Sequence, residues 1–201
     1  MSLMTEPPAA VVLAAGASTR MGRTKQLLPV DGVPMVRRAV LACVEAGLAP
    51  VVVVVGHDDA AVRAALDGIE CTFAMNADAT GPTSTSLHAG LHALPADAAS
   101  VIVLLADMVR VTSAMLQALA AAGAREDKPL AVSRYGDVLA PPLLFRRALW
   151  PELLAWHGEG CGKAVVRAHQ HEAVMLDWPE EALRDVDTPE DYAALVPGHA
   201  P

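Results

Sequence analysis

The chain has 201 residues, which one domain with a sizeable hydrophobic core can accommodate. Its net charge of −8 disfavours non-specific binding to nucleic acid, and no apolar run reaches the length of a membrane span. The three cysteines are scattered without a C-x-x-C pair, which is typical of a reducing compartment and of a protein without structural zinc. Because the start of the chain also lacks a secretory pattern, we predict a cytoplasmic protein with neither nucleic-acid nor membrane partners.

Apolar periodicity predicts alternating strands and helices in a single domain over residues 4–197. Residues 1–3 precede a second methionine and are interpreted as a cloning remnant, and residues 198–201 as a loose tail. Such alternation is typical of a parallel sheet with crossover helices. The predicted strands are Val11–Leu13, Val51–Val55, Cys71–Met75, Val101–Leu105 and Leu130–Ser133. One predicted helix begins at Pro34, a second ends near Gly68, and a third presents Leu87, Leu91 and Leu94 on one face. Two more predicted helices cover Ser113–Ala122 and Arg146–Trp156.

The loop after the first strand has the composition of a phosphate-binding loop. Small residues cover 14–19, and two cations follow at Arg20 and Lys25 with Gly22 between them. Small residues let the backbone approach a ligand closely, its N–H groups can form an anion site, and the two cations can bind phosphate oxygens. The alternative is a glycine-rich connection that carries two surface cations. The spacing excludes a P-loop, and no G-x-G-x-x-G fingerprint is present.

Two further polar segments are predicted beside this loop. Hydroxyl residues over Thr83–Ser86 stand at the start of a predicted helix, where they either cap that helix or face a ligand. Asp107 follows the strand Val101–Leu105, at the end of a parallel strand where α/β sheets bind ligands. The alternative for Asp107 is a carboxylate that stabilises the N-terminus of the next helix. Near the end of the chain, Asp185 and Asp187 share one face of an extended segment.

The first loop resembles the signature L-A-x-G-x-(S/G)-x-R-M-G-x-x-K of the nucleotidyltransferase superfamily, and the chain is most similar to molybdenum cofactor cytidylyltransferases. Three other segments resemble the family in the same order: Asn76–Leu91, the segment that contains Asp107, and Asp185–Asp191. The residues that match the first signature are Leu13, Ala14, Gly16, Ser18, Arg20, Met21, Gly22 and Lys25.

The resemblance implies a three-layer α/β/α fold of the Rossmann-like nucleotide-diphospho-sugar transferase type, with a mostly parallel mixed sheet. It implies transfer of CMP from CTP to molybdopterin, with release of pyrophosphate. Asp107 and Asp187 would be ligands of Mg²⁺ or Mn²⁺, with Asp185 as an alternative to Asp187, and Arg20, Lys25 and Asp107 would be catalytic. The implied nucleotide-binding residues are Leu13, Ala14, Ala15, Gly16, Ser18, Arg20, Lys25, Asn76, Ser84, Thr85 and Ser86.

Departures from the family pattern leave the acceptor open. The segment 139–142 replaces the usual Gly-His-Pro, Val109 replaces a proline, and Glu159 and Lys163 replace an aspartate and an arginine. The alternatives are guanylyl transfer, a sugar-phosphate acceptor, or a non-catalytic nucleotide-binding protein that delivers cofactor to a molybdoenzyme or its chaperone. His169 and His171 are predicted to be solvated, because they lie on different faces of a helix end.

Overall fold

The computed structural model describes residues 6–16, 24–56, 59–125, 128–160, 162–183 and 189–195. The strands are β1 Ala9–Leu13, β2 Pro29–Val30, β3 Val33–Pro34, β4 Val51–Val55, β5 Thr72–Met75, β6 Ser100–Leu105, β7 Leu130–Tyr135, β8 Val138–Arg146 and β9 Val174–Trp178. The α-helices are α1 Met35–Glu45, α2 Asp59–Ala65, α3 Thr83–His92, α4 Ser113–Gly123, α5 Trp150–Ala155, α6 Lys163–Ala168 and α7 Pro189–Leu195. Short 3₁₀ helices cover Lys25–Leu27, Arg147–Leu149, Gln170–Glu172 and Glu180–Leu183.

A seven-stranded sheet with the order β5-β4-β1-β6-β8-β7-β9 forms the centre of the molecule. The pairs β5/β4, β4/β1, β1/β6 and β7/β9 are parallel, whereas β8 pairs antiparallel with both β6 and β7. The sheet is therefore mostly parallel and mixed. This confirms the predicted α/β fold class.

Helices cover both faces of this sheet. The five valines of β4 show why, since Val51, Val53 and Val55 pack into one buried cluster while Val52 and Val54 pack into the other. The first cluster also contains side chains of α1, α2 and α4, and the second contains side chains of α3, α5 and α6. A strand that is buried on both faces reads as a continuous apolar run, as the sequence predicted. Within the described ranges, no helix combines the length and apolar character that crossing a bilayer requires.

The predicted helix over 146–156 is wrong at its start. Strand β8 continues through Arg146, a 3₁₀ turn follows, and the α-helix begins only at Trp150. Pro151 explains the late start, because proline has no N–H group to donate and is tolerated only in the first turn of a helix. Pro34 likewise ends β3 and directly precedes α1, instead of occupying its first helical position.

Strand β8 accommodates two consecutive prolines at an irregular position in the sheet. The register between β7 and β8 shifts at Val132/Ser133, opposite Pro141 and Pro142. There the Ser133 hydroxyl donates a hydrogen bond to Pro142 O at 2.7 Å, and the Tyr135 hydroxyl donates one to Pro141 O at 2.9 Å. Side chains thus satisfy carbonyls where proline removes ladder donors. Burial raises the pKa of Tyr135 to about 12, which keeps its hydroxyl protonated as a donor.

His169 is not the solvated residue that the sequence predicted. Its Nε2 lies 2.9 Å from Glu152 Oε2 in α5, and its Nδ1 lies 3.3 Å from Glu172 Oε2. The contact between His169 and Glu152 connects the C-terminal end of α6 to α5. His171 is 75% exposed, as expected of a solvated side chain. The hydrogen bond to Glu152, followed by the smaller effect of Glu172, raises the pKa of His169 above its usual value.

This raised pKa makes a small part of the stability depend on pH. A group whose pKa is higher in the folded state stabilises fully below its unfolded value of about 6.5, and the effect disappears as pH rises through the folded value. We expect His169→Gln to lower the free energy of unfolding at pH 5.5 but hardly at pH 8.5, by no more than about 1 kcal/mol because the pair is half-exposed. Urea unfolding at both pH values measures this, with His92→Gln as the control. An equal loss at both pH values would contradict it.

Candidate active site

The loops that follow the parallel strands β5, β1 and β6 meet at one edge of the sheet. Backbone hydrogen bonds extend the strand ladder into each loop: Ala14 N donates to Val54 O at 2.9 Å, Ala106 N to Leu13 O at 3.1 Å, and Asn76 N to Val55 O at 2.8 Å. The carboxyl edge of a parallel sheet is where α/β proteins bind ligands. The predicted residues Leu13, Ala14, Ala15, Gly16, Asn76 and Asp107 therefore lie at a common edge.

The loop after β1 is buried at its start and packs closely against the residue that follows β4, Gly56. Ala14 and Ala15 are 4% and 5% exposed, and a Cβ on Gly56 would lie 2.8 Å from Ala15 O and 2.7 Å from Ala79 Cβ. Only glycine fits at position 56. On the other side, the buried Gln26 donates from Nε2 to Gly16 O at 2.9 Å. Ser18 and Arg20, which complete the predicted loop, lie outside the described residues.

Lys25 and Asp107 form an ion pair at this edge. Lys25 Nζ lies 2.6 Å from Asp107 Oδ2, and the two side chains are 13% and 14% exposed. The alternative of a carboxylate at a helix N-terminus does not apply to Asp107, because α4 begins only at Ser113 and Thr112 caps it by accepting from Met115 N at 3.3 Å. The structure therefore brings together a predicted phosphate-binding cation and a predicted metal ligand.

The second carboxylate oxygen of Asp107 is suited to a divalent metal. Oδ1 is buried and, within the described part of the chain, has no hydrogen-bond partner. Mg²⁺ is often bound by one or two carboxylates together with substrate phosphates and water, so a carboxylate oxygen without a hydrogen-bond partner among the described residues fits such an ion. Asp185 and Asp187 lie outside the described residues, and among those described no cluster of three or more His, Cys, Asp or Glu side chains forms a complete metal site.

The last described helix packs next to this ion pair. Tyr192 of α7 is buried with Leu28 and Val109, and its hydroxyl donates to Pro29 O at 2.6 Å. Leu28 follows Lys25 by three residues, and Val109 follows Asp107 by two. The C-terminal part of the chain is therefore anchored beside both members of the pair.

Asn76 organises the polar segment between β5 and α3. Its Nδ2 donates to Thr85 Oγ1 and Ser86 Oγ, both at 2.9 Å, and its Oδ1 accepts from Asp78 N at 3.0 Å. Asn76 is buried, whereas Thr85 and Ser86 are partly exposed. The hydroxyls do not cap α3, because its N-cap residue is Pro82, whose side chain forms no cap hydrogen bond. Asn76, Thr85 and Ser86 thus form one hydrogen-bonded group at the edge that carries Asp107.

Ser84 differs from its neighbours, because it is 1% exposed and bonded away from the edge. Its hydroxyl accepts from Gly158 N at 3.0 Å, and its N–H donates to Gly158 O at 3.1 Å. Glu159 Oε2 accepts from Thr83 N at 3.2 Å and from Thr83 Oγ1 at 2.5 Å. In this structure Ser84 attaches the segment 158–160 to the start of α3, and its contact with nucleotide stays a prediction.

Two supporting residues were missed in the sequence. Gln26 stands between Lys25 and two leucines, and a polar residue in an otherwise apolar run was the available signal. Gly56 directly follows the valine strand, where a glycine at the carboxyl end indicates a close approach of another backbone. Both residues hold the loop after β1. Gln26 donates a hydrogen bond to the carbonyl of Gly16, and Gly56 leaves room for the carbonyl of Ala15.

Comparisons with known proteins agree with this geometry. The model of the MobA-like NTP transferase domain matches residues 10–174. The chain is 39% identical over 150 residues to the bifunctional protein GlmU of Kineococcus radiotolerans, an alignment that covers 71% of this chain and 30% of that protein. The chain thus spans less than a third of the length of this curated relative.

Two solved structures resemble the fold along nearly the whole chain. Rv0371c from Mycobacterium tuberculosis H37Rv superimposes with a TM-score of 0.80 at 29% identity, covering 94% of this chain and 97% of that one. A structure of Rv0371c in complex with manganese gives a TM-score of 0.76 at 28% identity, covering 96% and 100%.

Proposed function

Because the chain belongs to the family of MobA-like NTP transferase domains, we propose that it transfers a nucleotidyl group from a nucleoside triphosphate to a phosphate-bearing acceptor. The observation that carries the proposal is the Lys25–Asp107 pair at the carboxyl edge of the sheet, with one carboxylate oxygen left without a partner among the described residues. CTP is the proposed donor. Molybdopterin is the first candidate acceptor, on the similarity of the motifs to molybdenum cofactor cytidylyltransferases.

In the proposed reaction an acceptor phosphate oxygen attacks the α-phosphorus of the triphosphate. The bond from the α-phosphorus to the bridging oxygen breaks, and pyrophosphate leaves with that electron pair. Such an acceptor is already ionised, so no general base is required. Lys25 and Arg20 would neutralise the negative charge that develops on the phosphates, and the backbone of 14–16 would hold them in place.

A divalent cation fits this site through Asp107, and Asp187 is the proposed second ligand, with Asp185 as the alternative. When bound, the cation would neutralise phosphate charge and align the reacting groups. Support comes from the buried Oδ1 of Asp107 and from the manganese complex of the similar protein Rv0371c. The packing of Tyr192 beside Val109 also supports the proposal, because α7 begins at Pro189, close in sequence to both aspartates.

A sugar phosphate is the second candidate acceptor, for a specific reason. Where cytidylyltransferases usually carry Gly-His-Pro, this chain has the buried Ala140 and Pro141 within β8. An alanine cannot supply the hydrogen bonds of an imidazole. If that histidine holds molybdopterin in relatives, this chain must hold its acceptor with other side chains.

A screen of four nucleoside triphosphates against candidate acceptors tests the function. We expect acceptor-dependent pyrophosphate release with CTP in the presence of Mg²⁺ or Mn²⁺, and loss of that release with a chelator. Tight nucleotide binding without turnover on any acceptor would favour the alternative of a non-catalytic delivery protein, because fold and binding motif alone do not establish catalysis.

Ala15 provides a prediction on base preference. Guanylyl-transferring relatives typically carry glycine at this position, and a methyl group beside the base would disfavour a purine by roughly 1–3 kcal/mol. We expect Ala15→Gly to narrow the preference for CTP over GTP without reversing it, measured as the ratio of kcat/KM for the two nucleotides.

Ala14→Gly is the matched control for this measurement. It removes a methyl group from the same loop, but one that packs into the cluster on the opposite face of the sheet. A preference of the wild type for GTP would overturn the cytidylyl assignment and leave only nucleotidyl transfer. Equal effects of the two glycine variants would show that loop flexibility, not the Ala15 methyl group, sets the ratio.

A further inference from the structure

A cationic groove lies next to the candidate active site, between the β7–β8 hairpin and α6. Its volume is about 520 Å³. Four of its lining residues follow one face of α6 and the turn after it at helical spacing, and the other four belong to the hairpin. The lining residues are Arg134, Asp137, Val138, Leu139, Lys163, Val166, Arg167 and Gln170.

The groove opens at the same edge of the sheet as Asp107. Strand β7 runs parallel to β6 with β8 between them, so Arg134 near the end of β7 is two strand spacings from the end of β6, roughly 10 Å. The chain also limits the distance between Lys163 and the start of α3. Glu159 contacts Thr83 at the start of α3, and the four-residue step from Glu159 to Lys163 spans at most about 14 Å. One small molecule can therefore reach from the Lys25–Asp107 pair into the groove.

The charge of the groove favours an anion. Lys163 and Arg167 stand one helical turn apart, and within the described part of the chain neither forms an ion pair. Arg134 is held by Asp177 through hydrogen bonds of 2.5 and 2.9 Å, and Asp137 offsets part of the remaining positive charge. Three cations thus face two carboxylates, which leaves one positive charge in excess in a chain whose net charge is −8.

We propose that this groove binds a second anionic group of the acceptor, a phosphate, remote from the phosphate that attacks the nucleotide. The inference rests on the proposed function and narrows its substrate class to acceptors that carry two separate phosphate groups, a requirement that molybdopterin, with one phosphate, does not meet. Lys163 and Arg167 donate to the remote phosphate in charge-assisted hydrogen bonds. Arg134, fixed by Asp177, supplies a further N–H donor from a guanidinium that has five. These donors take the place of the histidine that the segment 139–142 lacks.

Binding of inorganic phosphate to the full chain tests the groove without any need for turnover. In a ¹⁵N NMR titration, we expect saturable shifts at the amides of Gly162, Val166 and Leu139. The double variant Lys163→Ala/Arg167→Ala should weaken this binding by roughly tenfold for each cation removed. Arg125→Ala/Lys128→Ala is the matched control, because it removes the same charge near the start of β7, at the opposite edge of the sheet. Absence of saturable shifts, or equal weakening by both double variants, would overturn the site.

Kinetics then separate an acceptor subsite from a regulatory phosphate site. With an acceptor that gives turnover, we expect phosphate to compete with that acceptor, and the Lys163/Arg167 double variant to raise KM for the acceptor while KM for CTP changes by less than about twofold. Non-competitive inhibition would overturn the acceptor assignment. A protein that binds phosphate in the groove but shows no transfer would refute the proposed function and not the anion site, so the two failures are distinguishable.

Discussion

Asp107→Asn is expected to leave the fold intact and to lower nucleotidyl-transfer turnover by at least roughly 100-fold. Asparagine has nearly the same shape but no charge, so it removes the partner of Lys25 and weakens the proposed metal site together. The side chain follows β6 at the edge of the sheet and is not packed in either core cluster. The fall in turnover should therefore be much larger than the modest loss of stability, about 1–3 kcal/mol, that an unpaired Lys25 causes.

The measurement is kcat and kcat/KM over a range of Mg²⁺ concentrations, with the melting temperature of each variant. Asp97→Asn is the matched control, because Asp97 is an exposed aspartate in a turn before β6, at the opposite edge of the sheet. Partial recovery of turnover at high Mg²⁺ would identify a weakened metal site. Near-normal turnover of the folded Asp107→Asn variant at ordinary Mg²⁺ concentrations would contradict the assignment of Asp107 as a metal ligand.

Lys25→Ala is expected to lower kcat by roughly 100- to 1000-fold, because it removes a fixed cation from the position where phosphate charge develops. It also leaves the carboxylate of Asp107 without its partner at 2.6 Å. Removing one partner costs 3–5 kcal/mol in a buried pair and less than about 1 kcal/mol in an exposed one, so this partly exposed pair should cost about 1–3 kcal/mol of stability.

Three variants separate the catalytic and the structural role of Lys25. Lys25→Arg keeps the charge, Lys128→Ala removes a lysine elsewhere, and Lys25→Ala/Asp107→Ala removes the whole pair. In the double variant, the loss of stability should be smaller than the sum of the single losses, because neither charge is left alone. If Lys25→Ala melts at a lower temperature but keeps its kcat, Lys25 is a structural residue.

The residues that recur at fixed spacing were the ones that sequence could place. Five consecutive valines predicted a strand buried on both faces, and the alternation of strands and helices predicted that the loops after β1 and β6 share an edge. The predicted helix over Ser113–Ala122 was also correct to within one residue. Each of these depends on local periodicity or on a topology that follows from it.

Contacts between distant segments could not be predicted in the same way. The partner of Lys25 is 82 positions away, and the partner of Ser84 is 74 positions away, so both depend on how the loops pack. Ser84 and Ser86 are both serines and stand two positions apart, yet Ser84 is hydrogen-bonded to Gly158 and Ser86 to Asn76. His169 shows the same limit, since the closer of its two carboxylate partners, Glu152, comes from α5.

The antiparallel strand β8 separates two parts of the seven-stranded sheet. On one side of β8 lie β5, β4, β1 and β6, whose loops carry the Lys25–Asp107 pair. On the other side lie β9 and β7, and β7 lines the groove through Arg134. Strand β8 joins the two halves through backbone hydrogen bonds and, at Pro141 and Pro142, through the hydroxyls of Ser133 and Tyr135. None of these four residues lines the groove. Side chains that face the groove can therefore change freely while the register of the first half is kept. Under the proposed function, substitutions in the groove would change which acceptor binds and leave the nucleotide chemistry unchanged.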